Sequence, residues 1–317
     1  MITKITNNVY FWFCVAVLLS IATPNPAIGL SLGAFLALTV GNPLSAQTGK
    51  ASKHLLQFAV ILLGFGTQFG VVMKVGFASI WITMISISAV FIIGHFLGKL
   101  FKVEGDLSLL LSTGTAICGG SAIAAMSPAI GASQLDTAVS MAVIFLLNGV
   151  ALILFPPLGH FFGLTQEQFG FWAALAIHDT SSVVGAGAIY GAQALAIATT
   201  VKLTRALWIL PVSFVGTKIK NSKSNATFPW FLLGFLAAAA IRTSIPAIED
   251  FCKLGAVSGK HMMTGTLFLV GAGLGMDKLK KIGIKPLLMA FVLWIIVSTL
   301  TLISVKLGFM PQIGNII

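Results

Sequence analysis

Residues 169–191 read FGFWAALAIHDTSSVVGAGAIYG, an apolar stretch of membrane-spanning length that carries polar side chains and glycines at its centre. A transmembrane helix needs ~20 mostly apolar residues, and a carboxylate in mid-membrane costs at least ~2.5 kcal/mol on insertion scales. Of the eight acidic residues, only Asp179 lies inside such a stretch, and His178 precedes it. This carboxylate needs a partner or a function, and the glycines that follow favour a broken helix over a continuous one.

The composition of the whole chain predicts an all-α integral membrane protein. Of the 317 residues, 57% are hydrophobic and only 9% are charged, whereas an ordinary soluble domain is roughly a quarter charged. The apolar runs are continuous rather than alternating, which favours helices over a barrel. The net charge of +11 comes from scattered basic residues, so no nucleic-acid partner is predicted. Three cysteines without paired spacing indicate neither disulfides nor a metal site.

Apolar runs separated by charged residues, proline or glycine predict about eleven transmembrane helices in one polytopic domain, residues 1–317. Their approximate limits are 9–23, 27–45, 54–73, 78–99, 107–130, 136–162, 167–190, 192–217, 228–245, 260–276 and 284–306. The connections between them are too short for a soluble domain. The run at 9–23 lacks a convincing cleavage site, so we expect it to be a membrane helix rather than a signal peptide.

Basic residues in short loops concentrate on the cytoplasmic side of a membrane, which gives this chain an orientation. With the N-terminus inside, the cytoplasmic loops carry Lys50, Lys53, Lys99, Lys102, Lys218, Lys220, Lys223, Lys278, Lys280, Lys281 and Lys285. The loops on the opposite side carry few basic residues, namely Lys74 and those of a mixed-charge stretch at 249–260. We therefore predict a multi-pass protein of the cytoplasmic (inner) membrane, with the N-terminus in the cytoplasm and the C-terminus outside.

Internal similarity suggests an inverted repeat. The segment 29–43 resembles 229–246, and 62–86 resembles 269–298, which makes residues 27–99 and 228–306 candidate repeats around a core of broken helices at 107–217. The copies are seven spans apart and would have opposite orientations, a recurring construction of secondary transporters. Chance similarity between apolar helices is the alternative.

Two cations lie in the next apolar run. Lys202 and Arg205 are spaced i, i+3 and share one helix face. One carboxylate cannot neutralise both, so we predict that a bound anion, or water, completes the site. A structural salt bridge to Asp179 is the alternative.

Small and hydroxylated residues at two apolar centres are candidate substrate ligands. They are Gly119, Gly120, Ser121, Thr180, Ser181 and Ser182. Broken helices there would offer unpaired N–H groups to an anion, while close helix packing is the alternative. His178 and Asp179 are candidates for coupling transport to H⁺ or Na⁺, unless they form a structural pair.

The orientation of these two runs raises a difficulty. Spans 107–130 and 167–190 would run in the same direction, whereas crossed helices of inverted repeats are antiparallel. Their similarity reflects composition alone, or one of them is re-entrant, or the glycine-rich span 260–276 is the true partner of 107–130.

Four motifs together resemble the YeiH-like family of sulfate exporters: GTAICGGSAIAA (114–125), AIHDTSSVVGAGAIYGAQ (176–193), TTVKLTRALWILP (199–211) and MDKLKKIGIKPLLMA (276–290). The resemblance implies membership of the cation/proton antiporter and anion transporter superfamily, with a core bundle of crossed broken helices and a flatter scaffold bundle. In similar families, including sodium/bile-acid symporters, the broken helices carry motifs like 118–122 and 178–182. Asp179 stands where the family pattern has glutamate, which leaves the coupling ion open.

These observations predict a secondary active transporter that exports a small anion, such as sulfate, sulfite or a sulfonate, coupled to H⁺ or Na⁺. The direction rests on the resemblance alone. No ATP-binding P-loop occurs, no cofactor is implied, and a homodimer is left open. The alternatives are an ion-driven importer of an organic anion and, more remotely, an intramembrane enzyme using His178 and Asp179. A channel is disfavoured because no filter-like motif occurs.

Overall fold

The computed structural model describes residues 26–39, 42, 45–103, 105–220, 230–273 and 283–310, and no strand occurs within these ranges. Apart from a 3-10 turn at Pro246–Ile248, the elements are α-helices, as the composition predicts. They are α1 (Pro26–Thr39), α2 (Ser45–Gly64), α3 (Phe69–Phe101), α4 (Gly105–Ala116), α5 (Gly120–Ile130), α6 (Gln134–Phe161), α7 (Gln166–Ala176), α8 (Thr180–Tyr190), α9 (Ala192–Leu207), α10 (Ile209–Lys220), α11 (Phe231–Ser244), α12 (Glu249–Gly271) and α13 (Ile284–Lys306).

Four helical segments of the described chain are long and apolar enough to cross a membrane: Phe69–Phe101, Leu135–Phe161, Ala192–Lys218 and Ile284–Lys306. The prediction of an all-α membrane protein is therefore confirmed. Helix α13 begins and ends where the sequence predicts, whereas the predicted helix at 9–23 lies outside the described residues.

The chain divides into two compact units, Met1–Val72 with Trp230–Leu279 and Met73–Pro229 with Lys280–Ile317. In the first unit α12 packs against α1 and α2, and α2 also packs against α11. A β-carbon added to Gly29 would overlap the Thr264 backbone, and one added to Gly33 would overlap the backbone of Phe268. This Gly-x-x-x-Gly pair lets α1 and α12 approach closely, as in other membrane helix pairs.

Replacing Gly33 with valine should destabilise the first unit by about 1–3 kcal/mol, because the added side chain must push α1 and α12 apart. The measurement is thermal unfolding of the purified protein in detergent. Gly70→Val is the matched control, since a β-carbon at Gly70 meets nothing within 4 Å. Equal unfolding temperatures for the two variants would contradict the close approach of α1 and α12.

In the second unit α13 runs in the same direction as α6. The Trp172 indole donates to the Ser298 carbonyl at 2.9 Å, and the Lys306 ammonium lies 5.6 Å from the centroid of the Phe162 ring, just beyond the end of α6. The Phe155 ring, late in α6, stacks on Trp172 at 4.2 Å between centroids. Helix α13 therefore ends beside the C-terminal end of α6.

Helices α4 and α5 form a hairpin at the N-terminal end of α6. Helix α4 runs back along α3, because a β-carbon added to Gly98 would overlap Ser108 and would lie 3.7 Å from Met289, near the start of α13. Helix α5 then returns, since the Ser127 hydroxyl hydrogen-bonds the Thr137 hydroxyl one turn into α6. The chain therefore enters and leaves this hairpin on the same side of the unit, beside the N-terminal end of α6.

Helices α7 and α8 form a second hairpin at the opposite end. The Tyr190 hydroxyl at the end of α8 donates to the Leu164 carbonyl at 2.6 Å, and its ring stacks on Phe169 at 3.8 Å between centroids. The Gln166 side-chain oxygen accepts from the Gln193 amide at 3.0 Å. The chain therefore leaves this hairpin where it entered, beside the C-terminal end of α6.

The hairpins enter from opposite ends of α6, and their tips meet at its middle. A β-carbon at Gly120 would lie 2.8 Å from the Phe145 ring, and the Asn148 side chain accepts from the Asp179 amide at 3.0 Å. The predicted spans 107–130 and 167–190 are thus each a pair of half-length helices that returns to its own side, which corrects the sequence-based assignment. The orientation difficulty disappears, because two re-entrant hairpins of opposite entry are antiparallel at their tips.

Candidate binding site at the hairpin tips

The tip of the first hairpin rests directly on the tip of the second. Gly119 has φ +68°, a conformation that favours glycine. A β-carbon there would lie 3.2 Å from the Asp179 Cα atom. The glycine therefore serves both the turn and the close approach of the two tips.

The N-terminus of α5 lies at this junction, where the Cys118 sulfur accepts from the Ala122 amide. Gly119 is its N-cap residue and provides no side-chain hydrogen bond, so the first N–H groups of α5 have no helical acceptor. The Ser121 side chain is exposed, and its hydroxyl donates to the Cys118 carbonyl at 3.2 Å. The predicted ligands Gly119, Gly120 and Ser121 thus lie together at a positive helix end.

The N-terminus of α8 is capped by Asp179, whose side chain is partly exposed. Its Oδ2 atom accepts from the Ser181 amide at 2.9 Å and also from the Ser181 hydroxyl. Thr180, Ser181 and Ser182 are buried in the first turn of α8. In the described part of the chain, every donor to the carboxylate reaches Oδ2, which leaves Oδ1 for a solute or ion.

Lys202 and Arg205 are fully buried and bind the C-terminal ends of two hairpin arms. The Lys202 ammonium donates to the carbonyls of Ile177 at 2.7 Å and Ala174 at 3.3 Å. The Arg205 guanidinium donates to two backbone carbonyls near the end of α4, those of Ala116 and of Thr115 at 3.4 Å. It also donates to two carbonyls of α7, those of Leu175 at 2.6 Å and Ala174 at 3.4 Å. On α3 it reaches the Ser86 hydroxyl at 3.4 Å. The two cations therefore offset the negative C-terminal ends of α4 and α7.

This placement differs from the salt bridge to Asp179 that the sequence offered as the alternative partner of the cations. Among the residues that the structure describes, no ion pair joins Lys202 or Arg205 to Asp179. Direct binding of an anion by the pair stays a prediction, since their observed acceptors are backbone carbonyls. Backbone carbonyls have no signature in a sequence, which is why pattern reasoning could not find these partners.

Several buried polar atoms at the junction lack a hydrogen-bond partner within the described residues. Both ring nitrogens of His178 and the Nδ2 atom of Asn148 are of this kind. The His178 ring lies 6.3 Å from the Trp294 ring, between centroids. In the sequence Asn148 is an amide within an apolar run, and such an amide could equally well line a polar cavity or make a helix–helix hydrogen bond. A buried unpaired polar group costs ~1–3 kcal/mol, so these atoms point to a ligand.

The described residues contain no group of three His, Cys, Asp or Glu side chains that could hold a metal ion. What the junction offers is a helix N-terminus whose N-cap residue is a glycine, a buried Asn148 amide nitrogen without a partner in the described residues, and the carboxylate of the partly exposed Asp179. Such a donor-rich set can hold an oxyanion together with a proton or a small cation.

The fold and the junction define a polytopic α-helical membrane protein with two opposed re-entrant hairpins. The chain belongs to the UPF0324 membrane protein family. Residues 13–290 match the family model described as "Conserved hypothetical protein 698". No solved structure matches the chain.

Three relatives illustrate how much of the chain the family covers. The UPF0324 membrane protein of Geobacter sulfurreducens is 52% identical over 288 residues, which is 90% of this chain and 93% of the relative. That of Bdellovibrio bacteriovorus is 45% identical over 290 residues, 89% of each chain. That of Bacteroides thetaiotaomicron is 44% identical over 282 residues, 87% of this chain and 85% of the relative.

Proposed function

We propose that this protein is a secondary active transporter of a small anion, driven by an H⁺ or Na⁺ gradient. The observation that carries the proposal is the meeting of two opposed hairpin tips halfway along α6. Non-helical backbone at membrane depth is tolerated only where protein buries it or where it lines an aqueous cavity. In secondary transporters, broken-helix termini at the midplane bind the solute and the coupling ion.

Each predicted site residue then has a role. The N-terminal amides of α5 and the nearby hydroxyl groups bind the anion, and Asp179 with His178 couples its movement to the cation. Lys202 and Arg205 secure the carbonyl ends of α4 and α7 and raise the local potential without touching the solute. This assignment keeps the predicted residues but changes the role of the two cations from binding to support.

The substrate and direction follow from the resemblance to YeiH-like sulfate exporters, which favours outward movement of sulfate, sulfite or a sulfonate. The second unit, which holds both hairpins, would be the substrate-carrying core.

The re-entrant hairpins support the predicted orientation. Each hairpin returns the chain to the side from which it came, so replacing two spans by two hairpins leaves the alternation of basic loops intact. Lys99 and Lys102 at the end of α3, Lys218 in α10 and Lys285 in α13 all lie toward the end of the unit at which α6 begins. We propose that this end faces the cytoplasm.

The test is solute counterflow in proteoliposomes. Vesicles loaded with unlabelled sulfate, sulfite or methanesulfonate should accumulate the labelled anion transiently and saturably, and an imposed pH or Na⁺ gradient should increase the accumulation. Inward against outward gradients distinguish export from the importer alternative. Flux that rises linearly with concentration would indicate a channel, and absence of counterflow for every anion would overturn the proposal.

A further inference from the structure

We infer that the coupling ion is H⁺ rather than Na⁺, because the side chains of Lys202 and Arg205 occupy the helix-end carbonyls at which Na⁺ would bind. The inference rests on the proposed function and deepens it by choosing between its two coupling ions. It follows from two independent observations, the donors that these carbonyls already have and the kind of acceptor that the tips leave open.

Four carbonyls at the C-terminal end of α7, those of residues 174–177, have no acceptor role within the helix, because a helix leaves its last C=O groups without partners. Sodium sites in secondary transporters use carbonyls of this kind. Here Lys202 donates to the first and the last of the four, and Arg205 donates to the first and the second. The Trp294 indole donates to the third at 3.1 Å. A Na⁺ ion bound to these oxygens would therefore lie in space that side chains already fill.

The first hairpin is occupied in the same way at the end of α4. Arg205 donates to the carbonyls of Thr115 and Ala116, and both basic side chains are fully buried. A guanidinium is always charged in a protein, and a lysine amine can donate to two carbonyls whether it carries two protons or three. The occupation of the helix ends therefore does not depend on the protonation state of Lys202.

The acceptors that the tips leave open are suited to a proton. A metal cation that leaves water needs several oxygen atoms in place of its hydration shell, whereas a proton needs one lone pair. Within the described residues, the Asp179 Oδ1 atom has no donor, since both groups of Ser181 reach Oδ2. Both ring nitrogens of the buried His178 also lack a partner there. Each of these two side chains can accept one proton.

The titratable side chains that interact at the tips, within the described part of the chain, come from both hairpins and from α9. They are Cys118, His178, Asp179, Lys202 and Arg205. Helices α3, α6 and α13 face the tips with Ser86, Asn148 and Trp294, which do not titrate. Of the titratable set, only the two acceptors of the second tip have an atom without a hydrogen-bond partner in the described residues, so proton exchange is assigned to them.

The coupling ion is measured with wild-type protein in proteoliposomes and labelled sulfate or methanesulfonate. With N-methylglucamine as the only added cation, a gradient of about one pH unit, imposed in either direction in turn, should drive accumulation of up to about tenfold for one proton per anion. A Na⁺ gradient of about tenfold at equal pH should drive none. Accumulation driven by Na⁺, or by neither gradient while counterflow persists, would overturn the inference and leave transport standing. Absence of counterflow for every anion would overturn the proposed function itself.

Lys202→Ala tests the occupation directly, because it frees the Ile177 carbonyl and empties the space beside it. Na⁺ should now bind there, so the unfolding temperature of the variant should be higher in NaCl than in N-methylglucamine chloride at equal ionic strength. The wild type should show no such difference, and neither should Lys218→Ala, the matched control at an exposed lysine of α10. A folded Lys202→Ala that does not respond to Na⁺ would overturn the inference. Should that variant show no unfolding transition, the wild-type accumulation decides alone.

Discussion

Arg205→Met is expected to lower the free energy of unfolding by about 3–5 kcal/mol, the range for breaking a buried charged network. The guanidinium holds carbonyls of α4 and of α7 at once, and methionine fills similar volume without a donor. Each backbone carbonyl that loses its donor at this buried position costs ~1–3 kcal/mol unless water replaces the guanidinium. The measurement is the unfolding temperature in detergent, together with counterflow of the anion.

The control for this prediction is Arg242→Met, at the other arginine of the sequence. Arg242 lies near the end of α11 and is half-buried, so its loss should change the unfolding temperature little. Arg205→Lys should recover part of the stability, since an ammonium retains the charge but cannot span both hairpins. If Arg205→Met unfolds at the wild-type temperature, the guanidinium does not hold the two helix ends together.

Asp179→Asn is expected to abolish gradient-driven accumulation while the protein stays folded. Asparagine is as good an N-cap as aspartate, so the first turn of α8 keeps its acceptor for the Ser181 amide. What is lost is the charge that would hold Na⁺ or H⁺ at the junction. We expect accumulation in an imposed gradient to fall by ~100-fold, about 2.7 kcal/mol, while exchange of the anion across the membrane persists.

Asp136→Asn is the matched control for that experiment. Asp136 also lies in the first turn of a helix and accepts from a serine hydroxyl, that of Ser133 at 2.7 Å, but it is remote from the hairpin tips. Its variant should accumulate the anion as the wild type does. Full gradient-driven accumulation by Asp179→Asn would show that coupling resides in another group.

The sequence located the chain breaks but not the path of the chain through them. Glycine and hydroxyl residues at 119–121 and 180–182 predicted interrupted helices, and the structure places α5 and α8 at these points. A run of about 25 apolar residues fits one full span, yet it also fits two arms of 11 residues, each about 16 Å long or half the hydrocarbon core. Composition is the same in both cases, so only the contacts of Ser127 and Tyr190 decided between them.

The partners of the buried polar groups were likewise beyond the sequence. The i, i+3 spacing of Lys202 and Arg205 predicts that they share a helix face and need negative partners, but a pattern of side chains contains no record of backbone carbonyls. The sequence does not distinguish Asn148 from other amides that bridge membrane helices. What sets it apart is its hydrogen bond with the Asp179 amide at the tip of the second hairpin, which only the structure shows.

The sequence alone determines that this is a membrane protein and where its helices are interrupted. Hydrophobicity and glycine content act on each segment of the chain, whatever other segments it packs against. Only the tertiary structure decided three other features. They are the entry of the two hairpins from opposite ends, the binding of Lys202 and Arg205 to helix ends, and the Asn148 amide nitrogen that has no partner in the described residues. They depend on distances between segments that are far apart in the chain, and such distances are fixed by packing.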